Sequence, residues 1–159
     1  MDLNEKELKI FLAKQGIEEF DCKKISGDCS FRSYYRINYQ GKNLILMFAP
    51  PKYEDIKPFT EIGNLLLKND LRAPQMFGFD LEYGFLLLED FGDLSYNKSM
   101  HKGDLDHEEF LYKNAIDALI KVQEIQNLPK NLKKYNPAML FNELMVYVDW
   151  YLDFKGEEF

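Results

Sequence analysis

The segment from residue 32 to residue 51 constrains the fold of this chain most, because its strand, turn and breaker signals follow one another directly. From Arg32 to Tyr39 the side chains alternate in character, which predicts a half-buried strand. Gln40-Gly41-Lys42 predicts a hairpin turn, and the nearly all-apolar run Leu44 to Ala49 predicts a central strand covered on both faces. Pro50-Pro51 then ends the strand, since proline has no N–H to donate to a sheet. These signals predict an antiparallel sheet.

Further helix and strand signals lie on either side of this segment. Asn4 to Gln15 has apolar residues at helical spacing and is followed by Gly16 as a C-terminal cap. Pro58 opens a second helix that runs to Asn69. The remaining predicted strands are residues 23–26, 75–79 and 85–88, the last two joined by a turn at residues 81–84.

The order of these elements predicts an α+β fold. Five antiparallel strands with one helix inserted after the third match the layout of a protein-kinase-like small lobe, here preceded by an extra N-terminal helix. Residues 93–106 are polar and loop-like. Helical patterns over residues 108–126 and from Asn136-Pro137 through Tyr151 predict the first helices of a helical large lobe.

Net charge and composition exclude several classes of partner. A net charge of −7 argues against binding to nucleic acid or to an anionic membrane surface. No apolar run approaches the roughly 20 residues that span a bilayer, and the first residues lack a signal-peptide pattern, so we expect a cytoplasmic protein. Two cysteines without nearby histidines support neither a zinc site nor a disulfide framework.

A local cationic patch lies within this acidic chain. Between Cys22 and Lys42 five basic residues accompany a single carboxylate, Asp28. Such a patch suits a small anion such as a nucleotide phosphate, and a solvated strand face with scattered lysines is the alternative. The glycine turn Ser26 to Ser30 could fold its amides over phosphate oxygens, although one glycine taken alone favours a plain hairpin turn. Arg32 and Arg36 follow the turn, and guanidiniums fork onto phosphates well.

Two acidic features complete the pattern. Glu61 lies in the first turns of the helix after Pro58, where kinase-like lobes carry the carboxylate that pairs with a strand-three lysine. An exposed helix glutamate is the alternative. The apolar strand from Phe85 ends abruptly in Glu89-Asp90-Phe91-Gly92, as a hinge requires if its backbone is to pair with an adenine edge. A core strand that reaches the surface is the alternative here.

These motifs, taken in order, resemble the aminoglycoside phosphotransferase superfamily, and most closely its branch of bacterial N-acetylmuramate/N-acetylglucosamine anomeric kinases. The resemblance rests on residues 26–36, 46–51, 58–59, 73–74 and 84–93, with the helix 140–151 matching the branch. It covers essentially the whole chain but only the N-terminal half of the family's length. It implies three regions: an N-terminal helix over residues 1–20, a kinase-like nucleotide-binding lobe over 21–92, and a linker with the truncated start of the helical lobe over 93–159.

The resemblance also implies an ATP site made of a phosphate loop, a helix carboxylate and a hinge. The phosphate loop would comprise Gly27, Asp28, Ser30 and Arg32. Glu61 would be the helix carboxylate. The hinge would offer the backbones of Glu89 and Phe91 to adenine, beside Leu88.

The sequence departs from the family pattern at two places. Met47 occupies the position of the strand-three lysine, so Glu61 lacks its usual partner, and whether Lys42 or Lys52 replaces that lysine stays open. The family's His-Gly-Asp-x-x-x-x-Asn catalytic loop and its later metal-binding aspartate would lie beyond Phe159. His101-Lys102-Gly103-Asp104 imitates that loop with an inserted residue and no following asparagine, and we interpret it as a polar loop.

These departures leave two functional hypotheses. The first is the ATP-binding part of an amino-sugar kinase, inactive alone, which would hold magnesium and transfer phosphate only if a complementary C-terminal lobe chain supplied the catalytic residues. The apolar helices after Glu108 would form that interface. The second is a non-catalytic nucleotide- or protein-binding module or a homodimeric remnant. A regulatory protein unrelated to kinases is a third, weaker hypothesis.

Overall fold

The computed structural model describes residues 3–25, 30–100, 104–130, 132 and 134–156. The chain divides into two compact units, residues 1–124 and residues 125–159. The predicted boundary between residues 92 and 93 stays a prediction.

A five-stranded antiparallel sheet forms the centre of the first unit, as predicted. The strand order is β1-β2-β3-β5-β4, so the apolar third strand is the central one. The strands are β1 (Asp21–Ile25), β2 (Ser33–Tyr39), β3 (Lys42–Phe48), β4 (Met76–Asp80) and β5 (Phe85–Glu89).

Two tight connections fix the register of the central strands. The β2–β3 hairpin turns at Gln40 and Gly41, whose φ angles of 50° and 74° are those of a two-residue turn that matches the twist of the strands. The β4–β5 connection ends at Gly84, whose φ is 70° and whose carbonyl accepts the N–H of Ala49 at 2.8 Å. This bond ties the end of β3 to the start of β5.

The N-terminal helix α1 (Glu5–Lys14) covers one face of the sheet. Asn4 caps it, because its side-chain oxygen accepts the backbone N–H of Lys6 at 3.0 Å. Its buried face packs into a core cluster with alternate residues of β2, β3 and β5. The cluster comprises Leu8, Phe11, Leu12, Ile17, Ile37, Leu46, Phe48, Phe85 and Leu87.

Helix α1 also reaches the edge of the sheet at β4. Lys14 forms an ion pair with Asp80 at 3.7 Å. The side chain of Gln15 lies against Gly78, where an added Cβ would collide with it. The last turn of the helix therefore covers part of an edge strand.

The second helix, α2 (Lys57–Lys68), begins at Lys57 with Pro58 in its first turn, as predicted, and ends at Asn69. It contributes Phe59 to a second core cluster on the opposite face of the sheet. That cluster is made of Met47, Ala49, Ile56, Leu86 and Leu88, with Tyr34, Ile45 and Met76 packed against it. Alternation along β3 and β5 thus divides the apolar residues between two cores, which explains why both strands are almost entirely apolar.

The region after the sheet differs from the prediction in one respect. Residues 93–106 were expected to be a loop, but a short helix α3 (Tyr96–Ser99) forms there because Ser95 caps it through the N–H of Lys98. The predicted helix over 108–126 is α4 (Leu105–Glu124). The catalytic-loop mimic lies partly outside the described residues, and its Asp104 accepts the N–H of His107 at the start of α4 at 3.0 Å. No helix within the described ranges is long and apolar enough to cross a membrane.

The second unit is helical, as predicted from Asn136-Pro137. Helix α5 (Pro137–Val146) starts where the side chain of Asn136 accepts the N–H of Met139 at 3.0 Å. Residues Tyr147–Leu152 continue as a π-helix, and α6 (Asp153–Lys155) closes the run. Nothing in the sequence pattern predicted the π-helical turns.

Replacing Gly84 should destabilise the fold far more than replacing another glycine of the same backbone conformation. A Cβ at Gly84 would overlap the carbonyl of Ala49, whereas one at Gly41 would meet no atom within 4 Å. We expect Gly84→Ala to lower the free energy of unfolding by about 3 kcal/mol and Gly41→Ala by about 1 kcal/mol. Urea denaturation followed by circular dichroism measures both, and equal losses would contradict the close approach.

Candidate functional site

A cavity of about 320 Å³ lies on the α2 face of the sheet, beside the segment that leaves β5. Its volume is at the lower end of the range for ligand pockets, about 300–1,000 Å³. The apolar part of its wall comprises Ile25, Tyr34, Ile45, Phe59, Pro74 and Leu88. The polar part is the hinge segment, defined here as Glu89–Asp93, together with Arg36.

Strand register explains why these residues meet. Arg36 is paired with Ile45, and Ile45 is paired with Leu88, so the three lie in one row across β2, β3 and β5. Adjacent strands are about 4.8 Å apart, so Arg36 lies about 10 Å from β5. A long guanidinium side chain on the α2 face spans that distance and reaches the hinge segment.

Arg36 binds two carboxylates of the hinge segment at once. Its Nε and Nη2 donate to Asp90 at 2.6 and 3.2 Å. Its Nη1 and Nη2 donate to Asp93 at 3.0 and 2.9 Å. These fork-like contacts fix direction as well as distance. Arg36 was expected beside the phosphate turn, but in the structure its donors are engaged by the hinge segment.

Asp90 has a second contact within the segment. Its side chain is only 5% exposed, and its Oδ1 accepts the N–H of Gly92 at 2.7 Å. Gly92 has a φ of 77°, a left-handed conformation in which glycine is unstrained. The carboxylate therefore holds both the arginine and the turn that follows it.

A second arginine binds the other side of the hinge segment. Arg72 donates to the two carboxylate oxygens of Glu89 at 2.6 and 3.2 Å, and Glu89 also accepts the N–H of Gln75 at 3.2 Å. The guanidinium carbon of Arg72 lies 4.6 Å from the centroid of the Phe91 ring, which is a cation–π contact. Arg36 and Arg72 together position the segment from both ends.

These contacts shift the pKa values of the charged groups. Hydrogen bonds from Arg36 lower the pKa of Asp93, and hydrogen bonds from Arg72 and then from the Gln75 amide lower the pKa of Glu89. The same bonds to Asp93 and Asp90 raise the pKa of Arg36. The segment is therefore an ionised network at neutral pH.

The backbone of Phe91 lies beyond the end of β5. Within the part of the chain that the structure describes, neither its N–H nor its carbonyl has a hydrogen-bond partner. Phe91 also lines the cavity, so this donor and this acceptor belong to a residue at its rim. A planar ligand with a complementary polar edge could pair with both.

The predicted hinge residues come together in this cavity. Leu88, Glu89 and Phe91 all line it. Of the predicted phosphate loop, Gly27 and Asp28 lie outside the described residues, and the Ser30 hydroxyl accepts the N–H of Arg32 at 3.1 Å. Their roles in binding stay predictions.

The predicted cationic and acidic residues are arranged differently. Arg32 forms an ion pair with Glu54 at 3.1 Å, a residue that the sequence analysis did not single out. Glu61 is exposed on α2 and is not among the described residues that line the cavity. Met47, at the position of the family lysine, is fully buried.

Sequence reasoning missed the partners of the arginines. Glu54 was not singled out in the sequence, and Asp90 and Asp93 were noted only as part of the motif at the end of β5. Arg36 and Asp90 are 54 positions apart. The one available signal was that Arg36 shares a strand face with Tyr34, which lines the same cavity. Among the described residues no group of three histidine, cysteine or acidic side chains is placed to hold a metal ion.

A larger cavity of about 530 Å³ lies between α1 and β1. Its lining includes Leu8, Phe20 and Tyr35, which belong to or pack against the first core cluster. The smaller cavity, by contrast, is lined by the predicted hinge residues Leu88, Glu89 and Phe91. We therefore take the smaller cavity as the candidate site.

Comparisons with known proteins support one family. The protein-family model described as "Phosphotransferase enzyme family" matches residues 21–151. N-acetylmuramate/N-acetylglucosamine kinase of Pseudomonas aeruginosa is 39% identical over 127 residues, which are 80% of this chain and 36% of that protein. The Pseudomonas putida kinase of the same name is 37% identical over 127 residues, which are again 80% of this chain and 36% of that protein. That of Neisseria meningitidis is 24% identical over 139 residues, 84% of this chain and 40% of its own length.

The chain thus spans between about a third and two fifths of the length of these curated relatives. The matched region includes the sheet, the hinge segment and α4. The predicted resemblance and the predicted α+β sheet with its N-terminal helix are both confirmed.

Asp93→Asn should reduce stability at neutral pH and change its dependence on acid. A carboxylate whose pKa is lowered by folding stabilises the protein at pH values above its pKa in the unfolded state. It loses that contribution as the pH falls through its pKa in the folded state. We expect the melting temperature of Asp93→Asn to lie below that of the unmodified chain at pH 7, and the difference to shrink below about pH 4. Thermal melting monitored by circular dichroism measures it.

The matched control is Asp117→Asn, an exposed carboxylate on α4 that has no ion pair within the described ranges. It should leave the acid profile unchanged. A constant difference between Asp93→Asn and the unmodified chain from pH 7 to pH 3 would contradict the assigned network.

Proposed function

The chain belongs to the phosphotransferase enzyme family, and from that membership we propose that it forms the ATP-binding lobe of an amino-sugar kinase. In this proposal the cavity beside the hinge segment holds the adenine base. The phosphates extend towards the turn that precedes β2. The sugar that accepts phosphate binds outside this lobe.

The observation that carries the proposal is the open backbone of Phe91 at the rim of an apolar cavity. Adenine presents an amino donor beside a ring-nitrogen acceptor on one edge, and its faces are apolar. A backbone acceptor and donor in one residue complement that edge, while Tyr34, Ile45 and Leu88 offer apolar contact to the faces. The charged network of Arg36 and Arg72 keeps the segment in place.

The identity of the acceptor is proposed from the relatives alone. Their names specify N-acetylmuramate and N-acetylglucosamine, so we propose an amino sugar of that class. Phosphoryl transfer needs an aspartate near the attacking hydroxyl and magnesium between the phosphates. We propose that these 159 residues bind nucleotide but do not transfer phosphate without a catalytic lobe that supplies both.

Removing the N–H of Phe91 should weaken binding of the base. We compare Phe91→Pro, which lacks the amide hydrogen, with Phe91→Ala, which retains it, so that loss of the ring is common to both. We expect calorimetric titration with adenosine to show about tenfold weaker binding to Phe91→Pro than to Phe91→Ala.

Equal affinity of the two variants for adenosine would contradict the backbone contact. Failure of the unmodified chain to bind adenosine or ATP, with or without magnesium, would contradict the proposed function itself.

A second candidate function is favoured by the helices of the second unit. Many large apolar side chains there are exposed, including Trp150 at 76% and Phe154 at 83%. Exposed apolar surface of this kind usually marks an interface, so a protein-binding module or homodimer is the alternative. Sedimentation of the chain over a range of concentrations tests it. A mass that rises to that of a dimer, together with no nucleotide binding, would favour this candidate over the first.

A further inference from the structure

In kinase-like lobes, a lysine on the third strand holds the α- and β-phosphates, and a helix carboxylate orients it. Here the third strand carries Met47 at that position, and its side chain is fully buried. It packs with Ile56, Leu86 and Leu88 in the second core cluster. A charged side chain in that position would require burying an ammonium group among apolar residues, which is costly. The cation must come from elsewhere.

Arg32 and Glu54 form a cation–carboxylate pair near this position. The Nε and Nη2 atoms of Arg32 donate to one oxygen of Glu54 at 3.2 and 3.1 Å. The two side chains are 31% and 19% exposed, so the pair is partly shielded from solvent. Burial is the largest single influence and lowers the pKa of Arg32, but the hydrogen bond and charge of Glu54 together with the contribution of Tyr34 raise that pKa overall.

The pair lies against the wall of the cavity. The guanidinium carbon of Arg32 is 5.9 Å from the centroid of the Phe59 ring, and Arg32 also interacts with the Tyr34 hydroxyl. Both Phe59 and Tyr34 line the cavity. Arg32 is not itself among the described residues that line the cavity, but it contacts two side chains that do, and it directly follows the glycine turn in the sequence.

A second contact holds the same two segments together. The rings of Phe31 and Tyr53 are stacked with centroids 4.7 Å apart and an interplanar angle of 13°. Residues 31–32 are thus attached to residues 53–54 by one aromatic and one ionic contact. The position of Arg32 is set by packing as well as by charge.

We propose that Arg32 is the phosphate-binding cation of this lobe and that Glu54, rather than a carboxylate of α2, is the residue that positions it. The inference rests on the proposed function. A guanidinium has five N–H donors, and Glu54 engages the Nε edge. The remaining donors can bind phosphate oxygens in the forked geometry that arginine favours. The Arg32–Glu54 pair then takes the place of the strand-three lysine and its helix carboxylate.

The test separates phosphate binding from base binding by titrating the chain with ATP and with adenosine. We expect Arg32→Ala to weaken ATP binding about tenfold or more, since a hydrogen bond to a charged group is lost, while adenosine affinity stays within about twofold. Arg32→Lys should recover only part of the loss, because an ammonium cannot fork onto two oxygens.

Glu54→Gln tests the positioning role. It should weaken ATP binding about threefold to tenfold and leave adenosine binding within about twofold, whereas Glu54→Asp, which keeps the charge, should recover part of the loss. Glu82→Gln, an exposed carboxylate in the β4–β5 turn, is the matched control. Thermal melting of each variant shows whether it is folded, and the adenosine titration provides an internal measure of an intact site.

Several results would overturn the inference. If Glu61→Gln weakens ATP binding and Glu54→Gln does not, the helix carboxylate has the role instead. If Arg32→Ala binds ATP as the unmodified chain does, Arg32 is not the cation, although adenosine binding would still support the proposed function. If the unmodified chain binds neither ligand, both proposals fall.

Discussion

The bonds of Arg36 to Asp90 and Asp93 are the constraint on which the candidate site depends. A segment that leaves a sheet loses the ladder hydrogen bonds that fixed it, so its backbone direction must be set by side chains. Here a guanidinium anchored two strands away makes four hydrogen bonds to the segment's carboxylates. Asp90 in turn accepts the amide of Gly92. The rim of the cavity is thereby attached to the sheet, and so is Phe91, whose backbone groups have no partner among the described residues.

The sheet could be predicted because its signals are local. Alternation in β2, the turn residues before β3 and the double proline after it each depend on adjacent positions. The short helix Tyr96–Ser99 escaped prediction because four residues are too few to show a helical period. The arginine–carboxylate pairs escaped it because they join residues far apart in sequence through long side chains, and no local pattern records such a pairing. Arg32 was singled out as a cation that follows the turn in sequence, but its partner Glu54 was not.

The replacement of a lysine by Met47 links the core to the chemistry of the site. A buried methionine among Leu86, Leu88 and Ile56 adds apolar contact to the second core cluster and leaves no charge to be compensated there. The cation that binds phosphate can then lie at a partly exposed position outside the core. Arg32 and Glu54 occupy such a location, where partial exposure to solvent lowers the desolvation penalty of the pair. In this lobe Met47 packs in the core, and the proposed phosphate-binding charge lies on a different residue, Arg32.

The contacts of α1 with the last strand of the sheet have a consequence for solubility. β4 is an edge strand that carries Phe77 and Phe79 with about half of each side chain exposed. Such an edge, if open, invites another chain to add a strand and so begins aggregation. The ion pair of Lys14 with Asp80 and the packing of Gln15 on Gly78 cover part of this strand, while Phe77 and Phe79 stay about half exposed. A chain without this helix would lose these contacts and would also expose the apolar face of the sheet on which the helix packs, so we expect it to aggregate more readily.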